Sequence, residues 1–168
     1  KPDGTLIKYA YDALHRLIRI TYPDTSIVTF TYDANGNRRK VIDALGTQTF
    51  TYDVLDRMTS HTDPFGKVVK YAYDANGNRI RLTYPDGKLV KYAYDKLNRL
   101  TTVTDWQARL TRYVYDAAGR LTRTTNANGT IAAYGYDDAD RLTSLRNRTS
   151  TGTVINAYSY VLDEVGNH

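Results

Sequence analysis

The segment Tyr92-Ala93-Tyr94-Asp95-Lys96-Leu97-Asn98-Arg99-Leu100 decides the fold of this chain, because close copies of it recur from one end to the other. The copies are spaced by 20 or 21 residues, and their Tyr-Asp pairs begin at Tyr11, Tyr32, Tyr52, Tyr73, Tyr94, Tyr115 and Tyr136. A degenerate eighth copy, in which two residues are inserted before the acid, begins at Tyr158. Self-similarity at a fixed period is the sequence signature of a repeat architecture.

The residues before each Tyr-Asp pair alternate with the period of a β-strand. Val90, Tyr92 and Tyr94 share one face, and the residues between them point to the other face. A short turn follows, in which a pair such as Asn76-Gly77 supplies the positive-φ positions that a tight hairpin needs. A second strand then begins at an Arg and an apolar residue, and a second turn ends the repeat. Each repeat is therefore predicted to contain two antiparallel strands and two turns.

The repeat count predicts an all-β fold. Eight repeats correspond to about 16 strands of roughly 5–7 residues, joined in up-and-down order. Open twisted sheets rarely exceed about 10 strands without curling. We therefore expect tandem repeats of about 21 residues to form one continuous curved β-sheet strip. Because no linker interrupts the pattern and the chain begins at Lys1 and not at Met, residues 1–168 are interpreted as a single array cut from a longer protein.

The composition narrows the range of functions. The chain has 16 Tyr and no Cys, so no disulfide framework forms, and the redox compartment stays open. The net charge is +5, but Lys and Arg are spread over the repeats, whereas nucleic-acid binding needs a concentrated basic patch. No apolar run is long enough for a membrane span. We predict neither a nucleic-acid partner nor a membrane-spanning segment.

Few residues point to a metal, a cofactor or catalysis. His15, His61 and His168 lie in different repeats, whereas metal sites cluster His, Cys or carboxylates. Calcium between turn acids stays an alternative, because these acids fall on one edge of the predicted sheet. They are Asp24, Asp43 and Asp63. No Gly-rich phosphate loop and no nucleophile-and-base spacing is found. We expect no metal, no cofactor and no enzyme activity.

Tyr residues at alternate positions end the first strand of most repeats. We expect them to stack from repeat to repeat as an aromatic ladder on one face of the sheet. The alternative is a platform for sugars or for an unfolded polypeptide, since Tyr combines an apolar ring with a polar tip. The residues concerned are Tyr9, Tyr11, Tyr32, Tyr52, Tyr71, Tyr73, Tyr92, Tyr94, Tyr113, Tyr115, Tyr134 and Tyr136.

Asp and Arg flank the first turn of the repeat at a fixed spacing. Because acids that recur at every turn cannot all be active sites, we interpret each as a cap for turn N–H groups that also pairs with an Arg across the hairpin. The pairs are Asp12 with Arg16, Asp53 with Arg57, Asp95 with Arg99, Asp116 with Arg120, and Asp137 with Arg141. The same pairing is expected with one extra residue for Asp33 with Arg38 and Asp74 with Arg79.

The pattern Tyr-x-Tyr-Asp-x-x-Gly-Asn-Arg, complete from Tyr71 to Arg79, resembles the YD repeat of the RHS family. That family includes bacterial polymorphic toxins, the C components of insecticidal toxin complexes and animal teneurins. The resemblance covers essentially the whole chain. It implies a β-sheet strip that spirals into a hollow shell, which encloses a C-terminal toxic polypeptide in the bacterial members and serves adhesion in teneurins. Complete shells of the family are several times longer than this array.

The resemblance implies a structural shell segment that encloses or presents a toxin polypeptide and has no catalytic activity. The implied partners are that C-terminal polypeptide and neighbouring shell segments, and the implied location is secreted or at a bacterial cell surface. The alternative is an extracellular adhesion module that binds glycans or proteins through surface Tyr and Arg. Unpaired end strands would also favour homo-oligomers through open sheet edges.

Overall fold

The computed structural model describes residues 6–163 of the chain. Within this range every regular element is a β-strand, as the sequence predicts. The strands are β1 (Lys8–Tyr11), β2 (Leu17–Thr21), β3 (Ile27–Tyr32), β4 (Arg38–Asp43), β5 (Gly46–Tyr52), β6 (Met58–Thr62), β7 (Val68–Tyr73), β8 (Arg79–Thr83), β9 (Leu89–Tyr94), β10 (Leu100–Thr104), β11 (Leu110–Tyr115), β12 (Leu121–Thr125), β13 (Ile131–Tyr136), β14 (Leu142–Arg148) and β15 (Val154–Ser159). Part of the degenerate eighth copy, residues 164–167, lies outside the described residues.

The strand order in the sheet is the order of the chain, from β1 to β15. Paired neighbours within the first seven and within the last seven strands run antiparallel. The predicted all-β class, with two antiparallel strands per repeat, is therefore confirmed. Of the described residues, 6–72 and 82–88 belong to one compact unit, and 73–81 and 89–163 belong to a second.

The first unit carries the ladder from β1 to β7. Its buried apolar residues are Val41 on β4 and Phe50 on β5. Phe50 is the cross-strand partner of His61 on β6, and the two rings stack with centroids 4.8 Å apart. Aromatic pairs of this kind add to the hydrophobic contribution of their buried area. The core of this unit thus lies on its central strands.

The second unit carries the ladder from β9 to β15. Val90 on β9 is its buried apolar residue. The pairing of β13 with β14 is the most extended in the unit and runs from the Ile131–Arg148 pair to the Tyr136–Leu142 pair. Because so few apolar side chains are fully buried in either unit, much of the stability must come from ladder hydrogen bonds and cross-strand contacts.

The first turn of each repeat is a three-residue turn that needs one left-handed residue. In the turn after β9, the N–H of Asp95 donates to the carbonyl of Arg99, and the N–H of Asn98 donates to the carbonyl of Asp95, at 3.0 and 3.1 Å. Asn98 has φ of 59°. This is a type I turn followed by a left-handed residue. The sequence analysis predicted positive φ at both residues of pairs such as Asn35-Gly36. In the structure only Gly36 has positive φ. The reason is that type I geometry keeps the preceding turn residues at negative φ.

A β-bulge follows the first turn in six repeats, and the sequence analysis did not foresee it. Tyr94 pairs with Leu100, whereas Ala93 pairs with Thr102, so Thr101 is an extra residue in β10. The extra residues in the other resolved pairs are Ile18, Arg39, Thr59, Thr122 and Thr143. The Thr101 hydroxyl donates to the carbonyl of Ala93 at 3.0 Å. A bulge increases the local twist of the strand pair and changes the direction of the side chains beyond it.

Candidate functional site

The acid of each Tyr-Asp pair holds its own turn together. One carboxylate oxygen of Asp95 accepts the backbone N–H groups of Leu97 and Arg99 at 2.8 and 3.0 Å. The other oxygen accepts the Nε–H of Arg99 at 2.7 Å. These hydrogen bonds, from the Arg99 backbone and then from its side chain, hold the pKa of Asp95 below its ordinary value although partial desolvation opposes them. The carboxylate is thus a fixed structural anion.

The structure places all five predicted Asp and Arg pairs in this geometry. The Nε or Nη2 atom of each Arg lies 2.7 or 2.8 Å from its carboxylate, and both side chains are about a quarter to a third exposed. The pairs are Asp12–Arg16, Asp53–Arg57, Asp95–Arg99, Asp116–Arg120 and Asp137–Arg141. A carboxylate with both oxygens occupied by its own turn has little capacity left to act as a general base.

The same Arg reaches into the following repeat. The Nη1 of Arg99 donates to the backbone carbonyl of Asp116 at 3.2 Å, and its guanidinium lies 4.9 Å from the ring centroid of Tyr115. In return, the Tyr115 hydroxyl donates to the backbone carbonyl of Leu100 at 2.9 Å. We call this set of three contacts the Arg–Tyr link. It joins one repeat to the next through side chains that the sequence repeats at fixed spacing.

The Arg–Tyr link recurs in both units. Arg16 and Tyr32 form it at 4.9 Å in the first unit, and Arg120 and Tyr136 form it at 5.1 Å in the second. Each Arg also donates to a backbone carbonyl of the next Tyr-Asp pair, and each Tyr hydroxyl donates to a carbonyl in the previous repeat. The link thus recurs at three equivalent places, each after a first turn in which the Arg pairs with the Asp four residues before it.

The Tyr residues therefore have guanidinium groups as stacking partners, which the sequence analysis did not foresee. The second Tyr of the pair lies under an Arg in the links above, and a first Tyr, Tyr92, lies 4.8 Å from the guanidinium of Arg79. The hydroxyls of Tyr52 and Tyr94 donate to the carbonyls of Arg38 and Arg79. A guanidinium stacks on the electron-rich face of an aromatic ring.

The remaining predicted Tyr residues lie at different depths. Tyr9 and Tyr11 on the end strand β1 are more than half exposed. Half-buried residues on the inner strands are Tyr71, Tyr73, Tyr113 and Tyr134. The surface that these side chains offer is thus largest at β1, where no preceding strand within residues 6–163 covers it.

The expected pairing of Asp33 with Arg38 is wrong. The side-chain amide of Asn37 occupies the position of the Arg, with its backbone N–H 2.8 Å from one Asp33 oxygen and its Nδ2 3.3 Å from the other. Asn78 makes the same contacts with Asp74 at 2.9 Å. The inserted Asn takes the fourth place after the acid, so the Arg moves one residue on, into the strand. There the guanidinium of Arg38 lies over the rings of Phe30 on β3 and Phe50 on β5, and not over the carboxylate of Asp33.

A further set of contacts joins neighbouring first turns. The Nδ2 groups of Asn35 and Asn37 donate to one carboxylate oxygen of Asp56, the left-handed residue of the next turn. Asn76 and Asn78 donate in the same way to Asn98, at 3.0 and 2.8 Å. Arg120 donates to Asp140 at 2.8 Å. The signal in the sequence is that the left-handed position alternates between Gly and a residue with a side chain, in the order His15, Gly36, Asp56, Gly77, Asn98, Gly119 and Asp140.

The His and Asp residues considered above as metal ligands do not form a cluster among the described residues. Within residues 6–163 no group of three or more His, Cys, Asp or Glu side chains is close enough to hold an ion. His61 stacks on Phe50 and contacts Gln48, and His168 lies outside the described residues. Asp24, Asp43 and Asp63, the alternative calcium ligands of the sequence analysis, accept backbone N–H groups of their own turns. Across the same described range, no helix has the length and apolar character to span a membrane.

A comparison with protein-family models found a match to this chain. A family model described as Teneurin YD-shell matches residues 3–141. Among solved structures, a crystal structure of TcdB2-TccC3 has 19% identity and a TM-score of 0.76, and the match covers 97% of this chain and 10% of that chain. The Tc holotoxin pore of Photorhabdus luminescens has 16% identity and a TM-score of 0.53, with 97% and 13% covered. The chain thus spans only about a tenth of these structures, and at such identities the likeness shows the fold alone. The comparison with curated proteins gave no match.

Proposed function

Because the chain belongs to the Teneurin YD-shell family, we propose that it forms a stretch of shell wall that encloses or presents a toxin polypeptide and carries out no chemistry of its own. The wall would act in a protein that is secreted or displayed at the cell surface. Its partners would be the enclosed polypeptide and the neighbouring parts of the shell. The family match supports a structural role, and the contacts of the repeat supply a physical basis for it.

The observation that carries the proposal is the Arg–Tyr link. Arg99 uses Nε on the Asp95 carboxylate, Nη1 on the Asp116 carbonyl and its flat face on the Tyr115 ring. The charged and aromatic side chains of these links are thus engaged in joining repeats. A wall built in this way resists local opening, because a gap between two repeats must break a ladder and several side-chain contacts together.

The wall function can be tested by limited proteolysis of the full protein that carries this array. Mass spectrometry would follow the array and any polypeptide that the shell is proposed to enclose. The proposal predicts that this polypeptide is cut only after the repeats are cut. If it is cut as fast in the intact protein as in the unfolded protein, the enclosure proposal fails.

Two variants make this experiment sharper. Arg99→Gln combined with Tyr115→Leu removes one Arg–Tyr link, and we expect earlier cleavage of the enclosed polypeptide. Arg112→Gln is the matched control, because Arg112 is an exposed cation on β11. If the control and the link variant change the cleavage time equally, the link does not hold the wall closed.

A further inference from the structure

Three arginines on neighbouring strands share one face of the second unit. Arg123 lies on β12, and Arg146 and Arg148 lie on β14. Between these strands, Ala133 on β13 is the cross-strand partner of both Arg123 and Arg146, and Ile131 is the partner of Arg148. Because cross-strand partners lie on the same face of a sheet, the three guanidinium groups surround one stretch of β13. We call these three residues the arginine cluster.

The arginine cluster has no counter-ion among the described residues. Within residues 6–163 its three side chains make no hydrogen bond and no ion pair, and Arg123 and Arg146 are exposed. The Arg residues of the first turns differ, because each pairs with an Asp of its own turn. From residue 89 to residue 163 every acid lies outside the strands. Since a guanidinium stays charged in proteins, the cluster is an uncompensated patch of positive charge.

This patch corrects one inference from the sequence. Lys and Arg are spread over the repeats in the sequence, but the antiparallel ladder brings Arg123 and Arg146 of different repeats to positions two strands apart. At the usual strand spacing their backbones are about 10 Å apart, and Arg146 and Arg148 are about 7 Å apart along β14. The fold therefore concentrates positive charge that the sequence alone shows as dispersed.

The spacing of the cluster matches an extended polypeptide. Ala133 is small and lies between Arg123 and Arg146, so a carboxylate above it can accept hydrogen bonds from both guanidinium groups. Ile131, beside Arg148, lies two residues away on β13, a distance of about 7 Å. Alternate side chains of an extended chain are also about 7 Å apart and point the same way. Two carboxylates at alternate positions can therefore engage the whole cluster.

We propose that the arginine cluster binds an acidic polypeptide segment in extended conformation, with Asp or Glu at alternate positions. One carboxylate lies over Ala133, between Arg123 and Arg146, and the second lies beside Arg148. The planar guanidinium groups suit carboxylates, which they bind with paired hydrogen bonds. This inference goes beyond the shell role, since the cluster binds such a segment whether or not the wall encloses a polypeptide.

The same face disfavours a nucleic acid as the partner. Single-stranded nucleic acids need aromatic rings on which their bases stack. Tyr134 alternates with Ala133 along β13 and therefore lies on the opposite face. The cluster is bordered instead by Ala157 and by the half-exposed Val154, the cross-strand partners of Arg146 and Arg148 on β15. These apolar side chains suit the methylene groups of Glu side chains.

Isothermal titration calorimetry of the 168-residue chain at low ionic strength tests the proposal. The probes are an acetylated peptide with Glu at two alternate positions, a peptide of the same composition with the two Glu adjacent, a peptide with Gln in place of Glu, and a short oligothymidylate. We expect saturable binding of the alternating peptide that weakens as salt is added. The adjacent-acid peptide should bind about tenfold more weakly, since one of its carboxylates points away from the cluster. The Gln peptide should not bind.

Each other outcome has a definite meaning. Equal affinity for the two acidic peptides would overturn the extended arrangement. Tighter binding of the oligothymidylate than of the alternating peptide would overturn the polypeptide assignment. No saturable binding of the alternating peptide at low salt would overturn the site. None of these results depends on whether the wall encloses a polypeptide, which the proteolysis experiment measures separately.

Substitutions then locate the binding. Ala133→Glu supplies a carboxylate between two members of the cluster and should prevent binding of the alternating peptide. Arg146→Gln should weaken binding about tenfold or more, since a hydrogen bond between charged groups is lost. Arg19→Gln is the matched control, because Arg19 is exposed on β2 and its cross-strand partners are Ala10 and Thr29. Wild-type affinity in both Ala133→Glu and Arg146→Gln, or an equal loss in the control, would overturn the proposal. Circular dichroism confirms that each variant is folded.

Discussion

Replacing Thr25 by Gly should stabilise the protein. Thr25 is the left-handed residue of the turn between β2 and β3, with φ of 68°, and it is exposed. The left-handed conformation costs an ordinary residue about 1–2 kcal/mol, and it is least favourable for a β-branched side chain. Gly removes this strain but loses about 0.5–1 kcal/mol through its greater freedom in the unfolded chain. The free energy of unfolding should therefore rise by about 0.5–1 kcal/mol.

The matched control is Gly36→Ala in the next turn. Gly36 has φ of 92°, and a Cβ placed on it would meet no heavy atom within 4 Å. Any change in stability then comes from the backbone conformation, and we expect a net loss of about 0.5–1 kcal/mol, since the strain on Ala is partly offset by its smaller freedom in the unfolded chain. Urea unfolding followed by circular dichroism measures both variants. If Thr25→Gly lowers the free energy of unfolding, or if Gly36→Ala leaves it unchanged, the assigned turn geometry is wrong.

Three further predictions follow from the contacts of the repeat. Tyr115→Phe should lower the free energy of unfolding by about 1 kcal/mol, since it removes the hydrogen bond to the Leu100 carbonyl; Tyr113→Phe is the control, because the Tyr113 hydroxyl has no protein partner within residues 6–163. The pKa of Asp95 lies below the ordinary 3.8, so its contribution is present above that pH and is lost as the pH falls through 3.8 and below. Thermal unfolding between pH 6 and pH 3 should show this loss, and Asp95→Asn should reduce it; a flat profile would contradict the capping role. Burial raises the pKa of Tyr115 above 10.0, so its contribution is present below pH 10 and is lost as the pH rises through its folded pKa, and Tyr115→Phe should flatten the alkaline limb of the profile.

Much of the fold can be predicted from the sequence because the pattern is local and repeated. The alternation around Tyr92 and Tyr94 specifies a strand, and the spacing of Asp95 and Arg99 specifies a short turn. Neither depends on distant contacts, so the all-β class and the strand pairing follow from the period. The confirmed family resemblance rests on the same residues.

The links between repeats could not be predicted in the same way. A guanidinium and not a second Tyr stacks on Tyr115, and a bulge at Thr122 shifts the register between β11 and β12. A single-residue shift of this kind leaves no mark in a period-two pattern. The insertion in the Asn-Gly-Asn turns can be recognised in the sequence, because one extra residue separates Asp33 from Arg38. The predicted pair of Asp33 with Arg38 is wrong because Asn37 takes the place of the Arg at the carboxylate.

A double-mutant cycle between Arg99 and Tyr115 tests most directly whether the Arg–Tyr link joins successive repeats. Arg99→Gln, Tyr115→Leu and the double variant would be unfolded in urea, with the fluorescence of Trp106 reporting on the second unit. The cycle subtracts the free energy of the ion pair between Arg99 and Asp95, which Arg99→Gln also breaks. We expect a favourable coupling of about 0.5–1 kcal/mol, as for a guanidinium stacked on a partly exposed ring. Additivity within about 0.3 kcal/mol would contradict the claim that these side chains join successive repeats.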